Sequence, residues 1–267
     1  MLTSGRGLKL ALLLATATVA LAVAVACDDG GGESEPTPPG VTPLPTIEAR
    51  PTLTPGAYTP SPDSANLFGN PGLEGGTKYW FSLNEDQPIE TAKVAHSGKA
   101  SAYLQMRDPS EATQGKVYYL IQEVNPAEFP ELISGYYRVD NWKRGAEKQY
   151  LQFAVIAFAP TNLGGQYPNY QMRYPLAGIS EEPFDIANAF FHFLSRDDPR
   201  QGEWVYFEAN IKADFEQFWG AAPAGYSKIR VLFEVRYDDK APGNAAEADV
   251  YYDDLYMGPA DANPNRP

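Results

Sequence analysis

Two histidines, His96 and His192, and one cysteine, Cys27, stand in a chain of 267 residues. A catalytic triad needs a histidine beside a nucleophile, and an imidazole metal site needs several histidines. His96 falls in the turn-like run His96-Ser97-Gly98, so neither constellation assembles. No nucleophile elbow, phosphate loop or dinucleotide fingerprint occurs. The 34 acidic residues leave a hydrolytic carboxylate pair as the one catalytic option, with Glu208 and Glu234 the obvious pair if they face one cleft. The residues therefore read as those of a non-catalytic chain. Binding chemistry is richer. Tyr206, Glu208 and Asn210 alternate along one stretch, Tyr136, Arg138 and Asp140 along a second, and Arg230, Glu234 and Arg236 along a third. If these stretches are neighbours, they make one polar ligand groove; the alternative is an exposed face laced with cross-strand ion pairs. Trp142, in Asp140-Asn141-Trp142-Lys143-Arg144-Gly145, is the candidate for a loop-borne stacking residue.

The elements that must position these side chains are strands. Ile133–Val139, Val205–Ile211 and Ile229–Tyr237 alternate with period two and are rich in β-branched and aromatic residues, the pattern of half-buried strands. The run from Tyr150 to Ala159 is apolar on both parities, as a central strand covered on both faces would be. Turn chemistry separates the runs at Asn70-Pro71-Gly72, Asn162-Leu163-Gly164-Gly165, Asp197-Asp198-Pro199 and Ala241-Pro242-Gly243-Asn244. Only Phe184–Leu194 and Ala213–Gly220 suit short helices. This rhythm predicts an all-β fold, an antiparallel sandwich or jelly roll, over residues 66–259, with a disordered tail over 260–267.

The first 65 residues read differently. Arg6 and Lys9 precede the apolar run Leu10–Ala26, the order of an export signal over residues 1–26. The run also approaches the roughly 20 residues of a membrane-spanning helix, though its Ala and Thr content suits that poorly. Ala24-Val25-Ala26 before Cys27 resembles the lipobox of bacterial lipoproteins, without the Leu often found three residues before the cysteine. That resemblance implies a diacylated Cys27 at a new N-terminus and a chain held to a membrane. The chain is expected on the outer face of a cytoplasmic membrane or in a periplasm, and in a cell with two membranes Asp28-Asp29 by the same resemblance implies retention at the inner one. Residues 27–65 are acidic and glycine-rich, then proline-rich, and have too little apolar surface to pack, so they form a tether. The net charge of −13 falls to −15 once Arg6 and Lys9 leave with the leader, which disfavours nucleic acid as a partner.

Three pieces in order carry a family resemblance. Asn66-Leu67-Phe68-Gly69-Asn70-Pro71-Gly72-Leu73-Glu74 with Tyr79-Trp80, then Val94-Ala95-His96-Ser97-Gly98-Lys99-Ala100-Ser101, then Val250-Tyr251-Tyr252-Asp253-Asp254-Leu255-Tyr256-Met257 together resemble CenC-type carbohydrate-binding modules. These belong to the galactose-binding-domain-like jelly rolls. The resemblance implies first and last strands side by side and a structural calcium ion, held by the carboxylates of Glu74 and Asp253 and the carbonyls of Asn70 and Lys99, a ligand set that calcium accepts. Alternation puts Asp253 on the same face as Leu255 and Met257, pointing toward the core. The resemblance further implies binding of extracellular polysaccharide, for which Tyr136, Arg138, Trp142, Glu208, Glu234 and Arg236 are the candidate contacts. A protein-interaction subunit of a surface complex, with a protein partner in place of a glycan, is the alternative reading.

Overall fold

The computed structural model describes Ser61, residues 64–84, Gln87, and residues 89–181, 186–240 and 242–266. Cys27, the leader and nearly all of the tether lie outside the described residues. The strands are β1 (Glu90–Ala92), β2 (Ser101–Asp108), β3 (Val117–Val124), β4 (Leu132–Lys143), β5 (Gln149–Phe158), β6 (Asn169–Ala177), β7 (Ala189–Phe191), β8 (Trp204–Ala209), β9 (Lys228–Tyr237) and β10 (Ala246–Gly258). They form two five-stranded sheets, a first in the order β1-β2-β10-β4-β8 and a second in the order β3-β9-β5-β6-β7. Every neighbouring pair is antiparallel except β6 and β7. The expected sandwich is the observed fold, and β5 is the middle strand of its sheet, buried on both parities.

The pleat decides what each strand gives the core, because successive side chains point to opposite faces. Along β9, Ile229, Val231, Phe233, Val235 and Tyr237 join the core cluster, and along β5 so do Leu151, Phe153, Val155 and Ala157. The opposite parity of both strands faces away from it. Each such Leu, Val or Phe stabilises the fold by about 1.5–3 kcal/mol when fully buried, and Phe153, Phe207 and Phe233 pack ring against ring at 5.5–6.2 Å across the two sheets. The opening segment runs beside the closing strand, with the Leu67 amide donating to the Met257 carbonyl at 2.8 Å.

Helix α1 (Ile211–Trp219) forms where the sequence suits one. The Asn210 side chain caps it by accepting from the Ala213 amide at 3.0 Å, and Gly220 ends it at φ 84. Three expectations are corrected. The described part of Phe184–Leu194 holds the short strand β7, whose aromatic residues pair beside β6, and no helix. The tail is pinned: a turn at Ala260–Ala262 is followed by Asn265, whose Nδ2 donates to the Asp254 carbonyl and Ser134 Oγ. A bulge in β10 between Asp253 and Tyr256, with Asp254 at φ 49, breaks the alternation. Asp253 therefore shares its face with Tyr251 and Asp249, not with Leu255 and Met257. Among the described residues no helix is long and apolar enough to cross a membrane.

Candidate ligand-binding face

The outer face of the second sheet joins apolar, aromatic and charged side chains in register. One line across it is Tyr119, Glu234, Gln152 and Pro175; the next is Ile121, Leu232, Ala154 and Arg173; a third is Glu123, Arg230, Ile156 and Gln171. Ile121, Leu232, Ala154 and Ile156 form a buried apolar floor separate from the main core, with Phe81, Tyr119 and Phe158 packed against it and partly exposed. Phe81 stands there because its backbone pairs with Ile121 through N–H···O bonds of 3.0 and 2.9 Å, which adds a wall beside β3.

Charged groups flank the floor. Glu234, 1% exposed, accepts from Gln152 Nε2 at 2.5 Å and from Arg236 Nη1 at 3.0 Å. Arg236 also grips Asp238 with two bonds of 3.0 Å, and Tyr150 donates to Asp238 at 2.8 Å. Burial opposes the charge on Arg236, but Glu234, Tyr150 and Asp238 outweigh it and hold the guanidinium protonated well beyond the usual range. Burial and the nearby Glu234 carboxylate push the Tyr119 phenol up, so it stays a neutral hydroxyl. Gln152 Oε1 is buried and accepts no hydrogen bond among the described residues, an arrangement that costs free energy until a donor reaches it. At the far end, Lys228 and Arg230 both bind Glu123 at 2.6–2.9 Å, and both stand within 5.2 Å of the Phe158 ring centre. Burial alone would raise the Glu123 carboxyl, but these two cations hold it below the usual range. A face of this kind offers ring surfaces to apolar patches of a ligand and fixed donors and acceptors to its hydroxyls.

Of the residues expected to bind ligand, Glu234 and Arg236 belong to this face and the others do not. Tyr136, Arg138 and Glu208 lie on the outer face of the first sheet, across the core, so the six do not make one groove and Glu208 and Glu234 do not form a carboxylate pair. Tyr136 is covered by the His96 ring, stacked at 3.6 Å and 15°. Arg138 is paired with Asp140 at 3.2 Å. Glu208 accepts from Tyr206, Asn263 and Arg266 at 2.6–3.0 Å, with the Arg266 guanidinium foremost in holding its carboxyl low. Trp142 lies inside β4, near its end, and packs partly buried against the core, with one edge of its ring close to Gly178, so it is a strand residue and not a loop-borne one. The sequence reading missed Phe81, Tyr119, Phe158, Gln152 and Arg173. Tyr119-Leu120-Ile121-Gln122-Glu123 does not alternate, since apolar Ile121 faces outward and polar Gln122 is buried against Gly69, so no local period marks the first strand of this face.

The residues implied as calcium ligands meet at the turn before β2. The amides of His96 and Ser97 donate to Asp253 Oδ2 at 2.7 and 3.2 Å, and those of Lys99 and Ala100 to Glu74 Oε1 at 2.7 and 3.0 Å. Asp253 is fully buried, and burial pushes its carboxyl up to about 6. Asn70 does not fit the implied role: its carbonyl already accepts from the Leu73 amide at 3.1 Å and the Trp80 indole at 3.0 Å, the two donors its lone pairs can take. No group of three or more His, Cys, Asp or Glu among the described residues is arranged to hold a metal.

A concavity of about 820 Å³ opens elsewhere, between the start of α1 and Gly258, lined in part by Leu67, Glu131, Lys212 and Glu216. Among the described residues its one aromatic ring, Phe129, is buried and packs on Phe215 and Tyr226.

No family model matches the chain, and no curated protein matches it. Solved structures of carbohydrate-binding modules are similar to it. A TmCBM61 structure in complex with beta-1,4-galactotriose aligns at 14% identity and a TM-score of 0.41, covering 73% of this chain and 98% of that one. A xylan-binding domain from CBM 22 aligns at 11% identity and 0.39, covering 74% and 97%. A non-crystalline cellulose specific CBM28 aligns at 11% identity and 0.35, covering 71% and 94%.

Proposed function

We propose that the chain is a non-catalytic carbohydrate-binding module that lays a polysaccharide along the outer face of its second sheet. The observation that carries this reading is the juxtaposition of three partly exposed rings, Phe81, Tyr119 and Phe158, on an apolar floor flanked by the Glu234–Arg236 and Glu123–Arg230 clusters. Sugar rings need that combination, because their axial C–H faces stack on aromatic rings while their hydroxyls require fixed polar partners. The opening and closing motifs of the sequence support the same reading. In this proposal Cys27 carries the lipid, two acyl chains give stable membrane anchoring where one would not, and the tether presents the module to extracellular glycan.

The test uses the detergent-solubilised full chain and a panel of soluble polysaccharides in affinity electrophoresis. Retardation by at least one polymer, weakened about 10-fold by Tyr119→Ala or Phe158→Ala, is expected, since a stacked ring contributes about 0.5–1.5 kcal/mol beyond the area it buries and about 1.4 kcal/mol is tenfold. Silence across the panel together with a protein that co-purifies would favour a scaffold role, and turnover of any glycan would overturn the non-catalytic reading.

A further inference from the structure

The two charged clusters of the candidate face are not equivalent. At the Glu234 end, Arg236 contacts two carboxylates, Glu234 and Asp238, so its charge is answered. At the Phe158 end, Lys228 and Arg230 share the single carboxylate of Glu123, at 2.8 and 2.6 Å. The groups that face this end are Glu123 from β3, Lys228 and Arg230 from β9, Ile156 and Phe158 from β5, and Asn169 and Gln171 from β6. Among the described residues Glu123 is the only acid at this end, which leaves one positive charge in excess among them. The two cations keep 33% and 22% of their side chains exposed while Glu123 keeps 6%, so the surplus faces outward and the compensating charge lies beneath it. Asn169 stands opposite Phe158; its Oδ1 accepts from Gln171 and Asn188, which orients its amide group at the same end. In a chain of net charge −13, an outward cationic spot beside a partly exposed ring runs against the general surface and calls for an anionic group to meet it.

We infer that the glycan taken by this face is acidic, with a sugar carboxylate seated against Lys228 and Arg230 while the same or a neighbouring sugar ring covers Phe158. The inference rests on the carbohydrate-binding reading above and sharpens it to polymers containing uronic acid. A carboxylate and a guanidinium or ammonium form charge-assisted hydrogen bonds, about twice as strong as neutral ones. Neutral polymers would leave the excess charge without a partner.

Charge variants of the full chain test this with three probes: polygalacturonate, neutral β-1,4-galactan and dextran sulfate. Lys228→Gln removes the surplus yet leaves Glu123 bonded to Arg230, so no buried charge is orphaned. It should weaken binding of polygalacturonate about 10-fold and weaken binding of neutral β-1,4-galactan by clearly less. Glu123→Gln raises the surplus and should tighten the same interaction, an opposite sign that a merely structural role for the cluster would not give. Binding of galactan but not polygalacturonate, lost in Tyr119→Ala, would overturn the acidic assignment and keep the carbohydrate reading. Dextran sulfate bound in preference to polygalacturonate would overturn the carboxylate in favour of a sulfate. Failure of all three probes would count against both readings.

Discussion

Asn66 ties the opening segment to the end of β10 with one side chain: its Nδ2 donates to the Leu255 carbonyl at 2.9 Å, and its Oδ1 accepts from the Phe68 and Met257 amides at 3.0 and 3.1 Å. An asparagine followed by apolar residues reads in sequence only as the start of a motif; its partners 189 and 191 positions away come from the fold. Asp249 is a comparable node on the first sheet. It is 5% exposed and accepts from Tyr103 at 2.8 Å, Arg107 at 2.6 Å, and Asn141. Burial raises its carboxyl, and the bonds from Asn141, Tyr103 and Arg107 more than reverse that, holding it below the usual range. A carboxyl held low in the fold contributes stability that is complete above its ordinary value near 4 and is lost as pH falls through the folded value. Asp249→Asn should therefore start about 1.5–3 kcal/mol less stable at pH 7 in urea unfolding, having lost charged hydrogen bonds. Its stability should then fall less steeply than the wild type below about pH 4; parallel curves would contradict this role for Asp249.

The turn at 94–100 is the element where resemblance and geometry part. Four backbone amides compensate Glu74 and Asp253, and His96 and Ser97 add side-chain bonds to Asp254 at 2.7 and 2.6 Å. Gly98, at φ 64, is required because a Cβ there would lie 2.1 Å from Glu74 Oε1. With these donors in place and the Asn70 carbonyl engaged elsewhere, melting curves in millimolar calcium and in chelator should superimpose. A calcium site filled at 100 times its Kd would add about 2.7 kcal/mol, roughly 5–10 °C for a domain of this size, and a shift of that size would restore the metal. The strands were legible because period-two alternation is a local property: β4, β8 and β9 fall where Ile133–Val139, Val205–Ile211 and Ile229–Tyr237 alternate. The bulge at Asp253–Tyr256 was not, since one residue of positive φ flips the parity of everything beyond it. β7 escaped for a related reason, because a three-residue strand is too short to show a period.

At the scale of the molecule, sheet membership is what the sequence could not supply. The alternating Tyr136, Arg138, Glu208, Glu234 and Arg236 look alike along the chain, yet β4 and β8 belong to one sheet and β9 to the other, with the core between their outward faces. Which strands pair is fixed by long-range packing, and no local pattern encodes it. The pinned tail adds to the difference, because Arg266 and Asn263 engage Glu208 on the first sheet while the rings of the second sheet stay partly exposed. The central claim is that a glycan occupies that second face. It is tested most directly by mapping backbone amide and methyl chemical shifts of the protein during titration with a bound oligosaccharide. The account predicts that the perturbed signals trace Tyr119, Ile121, Leu232, Ala154, Ile156 and Phe158. Perturbations centred on Tyr136, Tyr206 and Tyr251 of the first sheet, with those six unmoved, would contradict it.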